Sequence, residues 1–90
     1  MKPPSASAED SRRLFLEYLA VEKGLARNTL LSYSRDIGKF LDYVKSAKLV
    51  WSRVSEEALA RFIHRESQAG LSARSLARLV SALRSYFKFL

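Results

Sequence analysis

Ninety residues carry sixteen Lys plus Arg against nine Asp plus Glu, a formal net charge of +7, and the pI is about 10.2. That length admits one domain, because chains divide into several only beyond roughly 250 residues, and 48% hydrophobic with 28% charged residues is an ordinary folded composition. With no cysteine and one histidine, His64, a disulfide scaffold, a thiolate metal site and a paired-imidazole zinc site are excluded, and nucleophile–histidine chemistry is argued against.

The predicted elements are four helices. Residues 1–8 (Met-Lys-Pro-Pro-Ser-Ala-Ser-Ala) have linker composition and read as a flexible N-terminal segment, leaving residues 9–90 as the folded domain. Ser7 with Asp10 three residues on resembles a capping box, so a first helix is expected over residues 8–23. Its apolar set is Leu14, Phe15, Tyr18, Leu19 and Val21. Gly24 supplies a left-handed stop and Leu25 the apolar residue expected after it. A second helix spans residues 28–46, with Leu30, Tyr33, Ile37, Phe40, Leu41 and Val44 in one stripe and Gly38 inside it at a propensity cost of about 1 kcal/mol. A connection over residues 48–54 holds Trp51, read as a plug at one end of the bundle with base stacking as the other reading.

Ser55 caps a third helix reaching Ala69, with Glu56 and Glu57 in its first turn where the helix dipole favours acid. Its buried residues are expected to be Ala58, Leu59, Phe62 and Ile63. His64 is placed on its surface, and Glu66 beside a neighbouring cation, Arg13 or Arg84. Gly70-Leu71 repeats the earlier stop, and Ser72 caps a fourth helix striped by Leu76, Leu79, Val80, Leu83, Phe87 and Leu90. That stripe still runs at Leu90, so the natural polypeptide is expected to continue. The fold class is all-α. No run approaches the ~18 apolar residues of a membrane span, and no secretory signal opens the chain, so cytoplasm is the default compartment and no membrane partner is expected.

Charge is distributed unevenly along this frame. Residues 1–24 have four basic and four acidic groups and no net charge; residues 25–54 have six against two, +4. Residues 55–66 have two against three, −1, and residues 67–90 have Arg74, Arg78, Arg84 and Lys88 with no acid, +4. The segments 25–54 and 67–90, which contain the second and fourth helices, therefore hold all the surplus, which suits a polyanionic partner. These two helices also echo each other: when Leu25 is laid on Leu71, Thr29 meets Ser75, Leu30 meets Leu76, Ile37 meets Leu83 and Phe40 meets Tyr86.

At about 100° per residue, Asn28, Ser32, Arg35 and Lys39 form an arc opposite Leu30 and Ile37. Arg74, Arg78, Ser81, Ser85 and Lys88 form the matching arc of the fourth helix. Long cations reach phosphates or guanine edges, and small hydroxyl residues let a helix approach closely. Solvated helix faces more often alternate Glu with Lys. The fourth helix has no acid, whereas Asp36 and Asp42 dilute the charge of the second.

The run Leu25-Ala-Arg-Asn-Thr-Leu-Leu-Ser-Tyr-Ser-Arg-Asp-Ile-Gly-Lys-Phe40, with Gly70-Leu-Ser-Ala-Arg-Ser-Leu-Ala-Arg-Leu-Val-Ser-Ala-Leu-Arg-Ser-Tyr-Phe87, resembles the N-terminal core-binding domain of tyrosine site-specific recombinases. The nearest group is the bacterial Xer type, XerC-like more than XerD-like, and the likeness covers about residues 10–90. The resemblance implies a four-helix SAM-like orthogonal bundle forming one jaw of a clamp on duplex DNA, with the second and fourth helices toward the recombination half-site in chromosome-dimer resolution. It implies other recombinase protomers as partners, with Leu16, Arg12 and Arg13 of the first helix as contact candidates. It also implies that strand-cleavage chemistry belongs to a second, downstream domain. No catalytic residue is carried onto this chain, and Tyr18, Tyr33, Tyr43 and Tyr86 are read as packing residues.

The expected DNA-contacting residues are Arg27, Asn28, Thr29, Ser32, Arg35, Lys39, Ser72, Arg74, Ser75, Arg78, Ser81, Arg84, Ser85 and Lys88. Cations supply phosphate neutralisation, the helix starts near Asn28-Thr29 and Ser72 to Ser75 supply backbone N–H groups, and Arg74, Arg78, Asn28 or Thr29 supply base discrimination. Arg74 and Arg78 are expected to be replaceable by Ala without loss of helix. Arg84 divides between DNA contact and a stem lying over apolar surface. No cofactor, metal or small-molecule substrate is expected. Two other readings remain: a SAM-like protein–protein interaction module, and a small helix-turn-helix regulator using Gly70 to Tyr86.

Overall fold

The computed structural model describes residues 7–90 as four helices in chain order: α1 (Ala8–Val21), α2 (Arg27–Ser46), α3 (Glu56–Gln68) and α4 (Ala73–Phe89). No strand forms among the described residues. Of the segment expected to be flexible, Ser7 and Ala8 belong to the start of α1; the rest lies outside the described residues. Three helix starts carry the predicted serine caps: Ser7 accepts from the N–H of Asp10, Ser55 from that of Ala58 and Ser72 from that of Ser75, each at 3.1 Å. The start of α2 has Ala26 in the cap position and no side-chain cap.

The helix ends repeat one device. Gly24 and Gly70 adopt φ of 62° and 98°, and the following Leu25 and Leu71 return their N–H groups to the carbonyls of Leu19 and Glu66. The end of α2 does the same without glycine: Lys48 takes φ 57° and Leu49 N–H reaches the Val44 carbonyl at 2.9 Å. The Gly-Leu stop read twice in the sequence thus has a third copy, Lys48-Leu49, hidden by its side chain.

In the core, α2 packs on both α1 and α4, and α3 closes against α4. Phe15, Ile37, Phe40, Leu79, Ala82 and Tyr86 are wholly buried. Rings meet edge to face across helices, Phe15 with Tyr86 at 5.3 Å and Phe40 with Phe62 at 5.6 Å. Trp51 is half-buried and packs against this cluster, as a plug would. Val21 is not part of the core. It is 77% exposed, because it lies about 120° around α1 from Phe15.

Two polar links are built into this apolar interior. Ser11 of α1 is buried and bonded to the Tyr86 hydroxyl of α4. Ser11 donates its own proton to the Ala8 carbonyl at 2.8 Å, so the phenol is the donor to Ser11. Burial raises the Tyr86 pKa above its ordinary 10.0, with the Ser11 bond opposing.

The second link joins α2 to α4. Asp36 is 1% exposed, and Arg78 grips it from both sides, Nε to Oδ2 at 2.8 Å and Nη2 to Oδ1 at 2.9 Å. These bonds to Asp36 raise the Arg78 pKa above its already high ordinary value, against the effect of burial. Asp36 therefore does not dilute the surface charge of α2; it is interior and spoken for. Gly38, two residues on, is explained by a similarly close fit on the other side of α2. A Cβ there would stand 3.0 Å from Nη2 of Arg12, whose guanidinium bonds Ser34 and Glu9.

Three stability outcomes follow from this packing. Arg78→Ala strands a buried carboxylate and is expected to lower the unfolding free energy by about 3 kcal/mol, against about 0.5 kcal/mol or less for exposed Arg74→Ala; denaturant midpoints compare them. Tyr86→Phe costs about 1 kcal/mol, since Ser11 keeps its bond to Ala8. Because the folded state holds the neutral phenol, the parent's stability falls as pH rises past 10.0, and the Phe variant is expected to fall less steeply over that range. Lys48→Gly relieves a left-handed non-glycine residue and is expected to raise stability by about 1 kcal/mol in the same denaturation assay.

Candidate nucleic-acid interface

Parts of the polar arcs of α2 and α4 meet in one groove, while Arg35 and Lys39 of α2 border a different cleft. Asn28, Thr29, Ser32 and Tyr33 from α2, with Ala77, Arg78 and Ser81 from α4, line a single open groove of about 470 Å³. The groove exists because small residues, Ala77 and Ser81 opposite Thr29 and Ser32, sit where the two helices approach. A second cleft of about 570 Å³ continues from it through the shared Tyr33, lined by Ser85, Lys88 and Phe89 of α4 and by Tyr18 and Lys23 at the end of α1. Seven of the expected contact residues, Asn28, Thr29, Ser32, Arg78, Ser81, Ser85 and Lys88, therefore line two depressions that share Tyr33.

The remaining seven lie around it or serve the fold. Arg27 opens α2 and is exposed, as are Arg74 and Arg84 of α4; none of the three forms an ion pair among the described residues. Arg35 leans along α2 with Nη2 3.4 Å from the Ser32 hydroxyl, and with Lys39 it borders a cleft toward α1 that also contains Glu9 and Arg12. Lys39 lies 3.9 Å from Glu66 of α3, so Glu66 faces Lys39, not Arg13 or Arg84. Lys39 is on the second helix, which the sequence alone does not bring beside the third.

Ser72 and Ser75 change role. The Ser72 hydroxyl accepts the Ser75 N–H, which takes that donor away from any anion. The start of α2 is the more open of the two, because Ala26 offers its first-turn N–H groups no side-chain acceptor. Arg78 changes most. The sequence treats it as a free cation, whereas the structure commits Nε and Nη2 to Asp36.

On α1, Arg12 is held by Glu9 and Ser34, while Arg13 stays exposed between Asp10 and Glu17 at 3.7 and 3.5 Å. Leu16 is half-buried. Residues that the sequence reading missed are Lys23 and Asp36. Lys23 sits in a segment of zero net charge, yet the fold carries it to the rim of the second cleft, its ammonium 5.9 Å from the Tyr18 ring centre. Its position immediately before the Gly24 stop was the available signal. Tyr33, read as packing alone, lines both depressions.

Among the described residues no group of His, Cys, Asp and Glu could hold an ion, and His64 is exposed on α3. No helix among the described residues is long and apolar enough to cross a membrane.

Comparison with known proteins agrees with this architecture. Tyrosine recombinase XerC of Pseudomonas syringae pv. syringae is 40% identical over 74 residues, covering 81% of this chain and 25% of its own length. Tyrosine recombinase XerD of Oceanobacillus iheyensis is 33% identical over 78 residues, covering 84% and 26%, and XerC of Anoxybacillus flavithermus is 37% identical over 78 residues, covering 86% and 26%. The chain thus spans about a quarter of the length of these relatives. No solved structure is matched. Residues 13–90 match the family described as phage integrase, N-terminal SAM-like domain, and with four helices in place and nearly the whole described chain inside that match, the protein belongs to this family.

Proposed function

We infer that this chain is the non-catalytic, duplex-DNA-binding jaw of a tyrosine site-specific recombinase acting in chromosome-dimer resolution, and that it meets the recombination half-site through α2 and α4. The observation that supports this most directly is the shared groove: polar groups of both helices line one depression, and both helices carry exposed cations. The relatives' names supply the reaction class, and their greater length leaves room for strand-cleavage chemistry outside these residues. Other protomers of the same recombinase are the expected protein partners.

Attraction comes from cations that are not already paired. Arg27, Arg35 and Arg74 keep exposed charge on α2 and α4, Lys88 and Lys23 line the second cleft, and Lys39 is exposed 3.9 Å from Glu66. Releasing counterions from about five phosphates gives a log affinity against log salt slope near −4.5. Arg78 falls outside this set because Asp36 compensates it.

Binding of the 90-residue chain to a short randomised DNA duplex, followed by fluorescence anisotropy across a salt series, measures both quantities. Arg74→Ala and Lys88→Ala are each expected to weaken binding and to flatten the slope by about 0.9, with the circular dichroism spectrum unchanged. Parent-like affinity and slope in both variants, or a parent that leaves duplex unbound at low salt, would overturn the assignment.

A further inference from the structure

Arg78 is held in a way that suits reading more than attraction. Its guanidinium is planar, and the edge carrying Nε and Nη2 is fixed to the two oxygens of Asp36 at 2.8 and 2.9 Å. The carboxylate is wholly interior while the arginine side chain remains one-third exposed, at 33%. A fork gripped along one edge cannot turn without breaking both bonds. What it leaves over are the two Nη1 protons and the second Nη2 proton at its tip, and the side chain lines the groove between Ser32 and Ser81.

The compensating carboxylate also decides what such a tip can recognise. A phosphate is drawn by net positive charge, and Arg78 with Asp36 beside it offers little. A base edge is recognised by donors in fixed directions, and guanine presents O6 and N7 side by side in the major groove. We propose that Asp36 is a positioning residue that holds Arg78 for a two-donor contact to guanine O6 and N7, making the pair a determinant of sequence preference and not of phosphate affinity. Ala77 and Ser81, small residues on the same groove wall, leave room for a base edge to approach. The proposal rests on the duplex-binding reading and goes beyond it in assigning Asp36 a role and Arg78 a ligand.

The test uses the 90-residue chain, a duplex selected by it from a randomised pool, and an unselected duplex of equal length. Asp36→Asn keeps the shape and one acceptor but removes the compensating charge. It is expected to bind unselected duplex more tightly, to steepen the salt slope by about 0.9, and to lose about tenfold of the preference for the selected duplex. Non-specific affinity rising while preference falls is a signature that simple loss of structure does not produce, since unfolding lowers both. Arg78→Lys keeps a charge against Asp36 but has no fork. It is expected to retain the parent's slope and to lose a similar part of the preference, which decides the matter should the Asn variant fail to fold.

Substituting 7-deazaguanine in the selected duplex is expected to reduce parent binding and to leave Arg78→Lys binding unchanged. A parent that binds duplex without sequence preference, or an Arg78→Lys variant with undiminished preference, overturns this proposal while leaving the duplex-binding reading intact. A parent that binds no duplex overturns both.

Discussion

One buried carboxylate organises the side of the molecule that matters. Asp36 lies between α2 and α4 with almost no exposure, and an ionised group in that position is tolerable only when its oxygens are satisfied by a fitted cation. Arg78 provides both donors from the other helix. The bond therefore sets the spacing and rotation of α4 relative to α2, and the groove above it exists at that spacing. Hydrophobic contact alone would hold the two helices together, but it is not directional. A two-point hydrogen bond permits one register.

The Ser11–Tyr86 link plays a related part deeper in the bundle. It ties the N-terminal turn of α1 to the last turns of α4 through a proton order fixed by the Ala8 carbonyl. The two links act on opposite ends of α4, Arg78 near its start and Tyr86 near its end, with Leu79, Ala82 and Leu83 packed between them. The helix carrying the acid-free basic face is thus restrained at two polar points and along an apolar stripe. A face held in this way presents its exposed cations from a restrained backbone.

Much of this frame was legible before any coordinate. The serine caps at Ser7, Ser55 and Ser72 announced three helix starts, and the periodic leucines and phenylalanines located the core, because both signals act within a few residues of the chain. The hidden features have long reach or a misleading residue type. Lys48 fills a left-handed position that glycine marks elsewhere, and nothing in its identity says so. The partners Arg78 with Asp36 and Lys39 with Glu66 are far apart in the chain, and helical periodicity cannot rank one acid over another across the bundle. Counting charges by segment had the opposite failing at Lys23, where neighbouring acids cancel the total but not the local position.

The pairing of Arg78 also changes how the net charge should be interpreted. A surplus of +7 describes long-range attraction, which depends on the sum of charges and falls away with salt. Recognition over a few ångströms depends instead on where donors point. On the proposed reading the two tasks fall to different residues: exposed Arg27, Arg74 and Lys88 contribute to the sum, while Arg78, cancelled by its carboxylate, contributes almost nothing to it yet has its guanidinium held by two bonds. A residue that is lost from the charge count is, for that reason, freed from competing for phosphates, and the same buried Asp36 that removes its charge supplies the restraint that gives its remaining protons a direction.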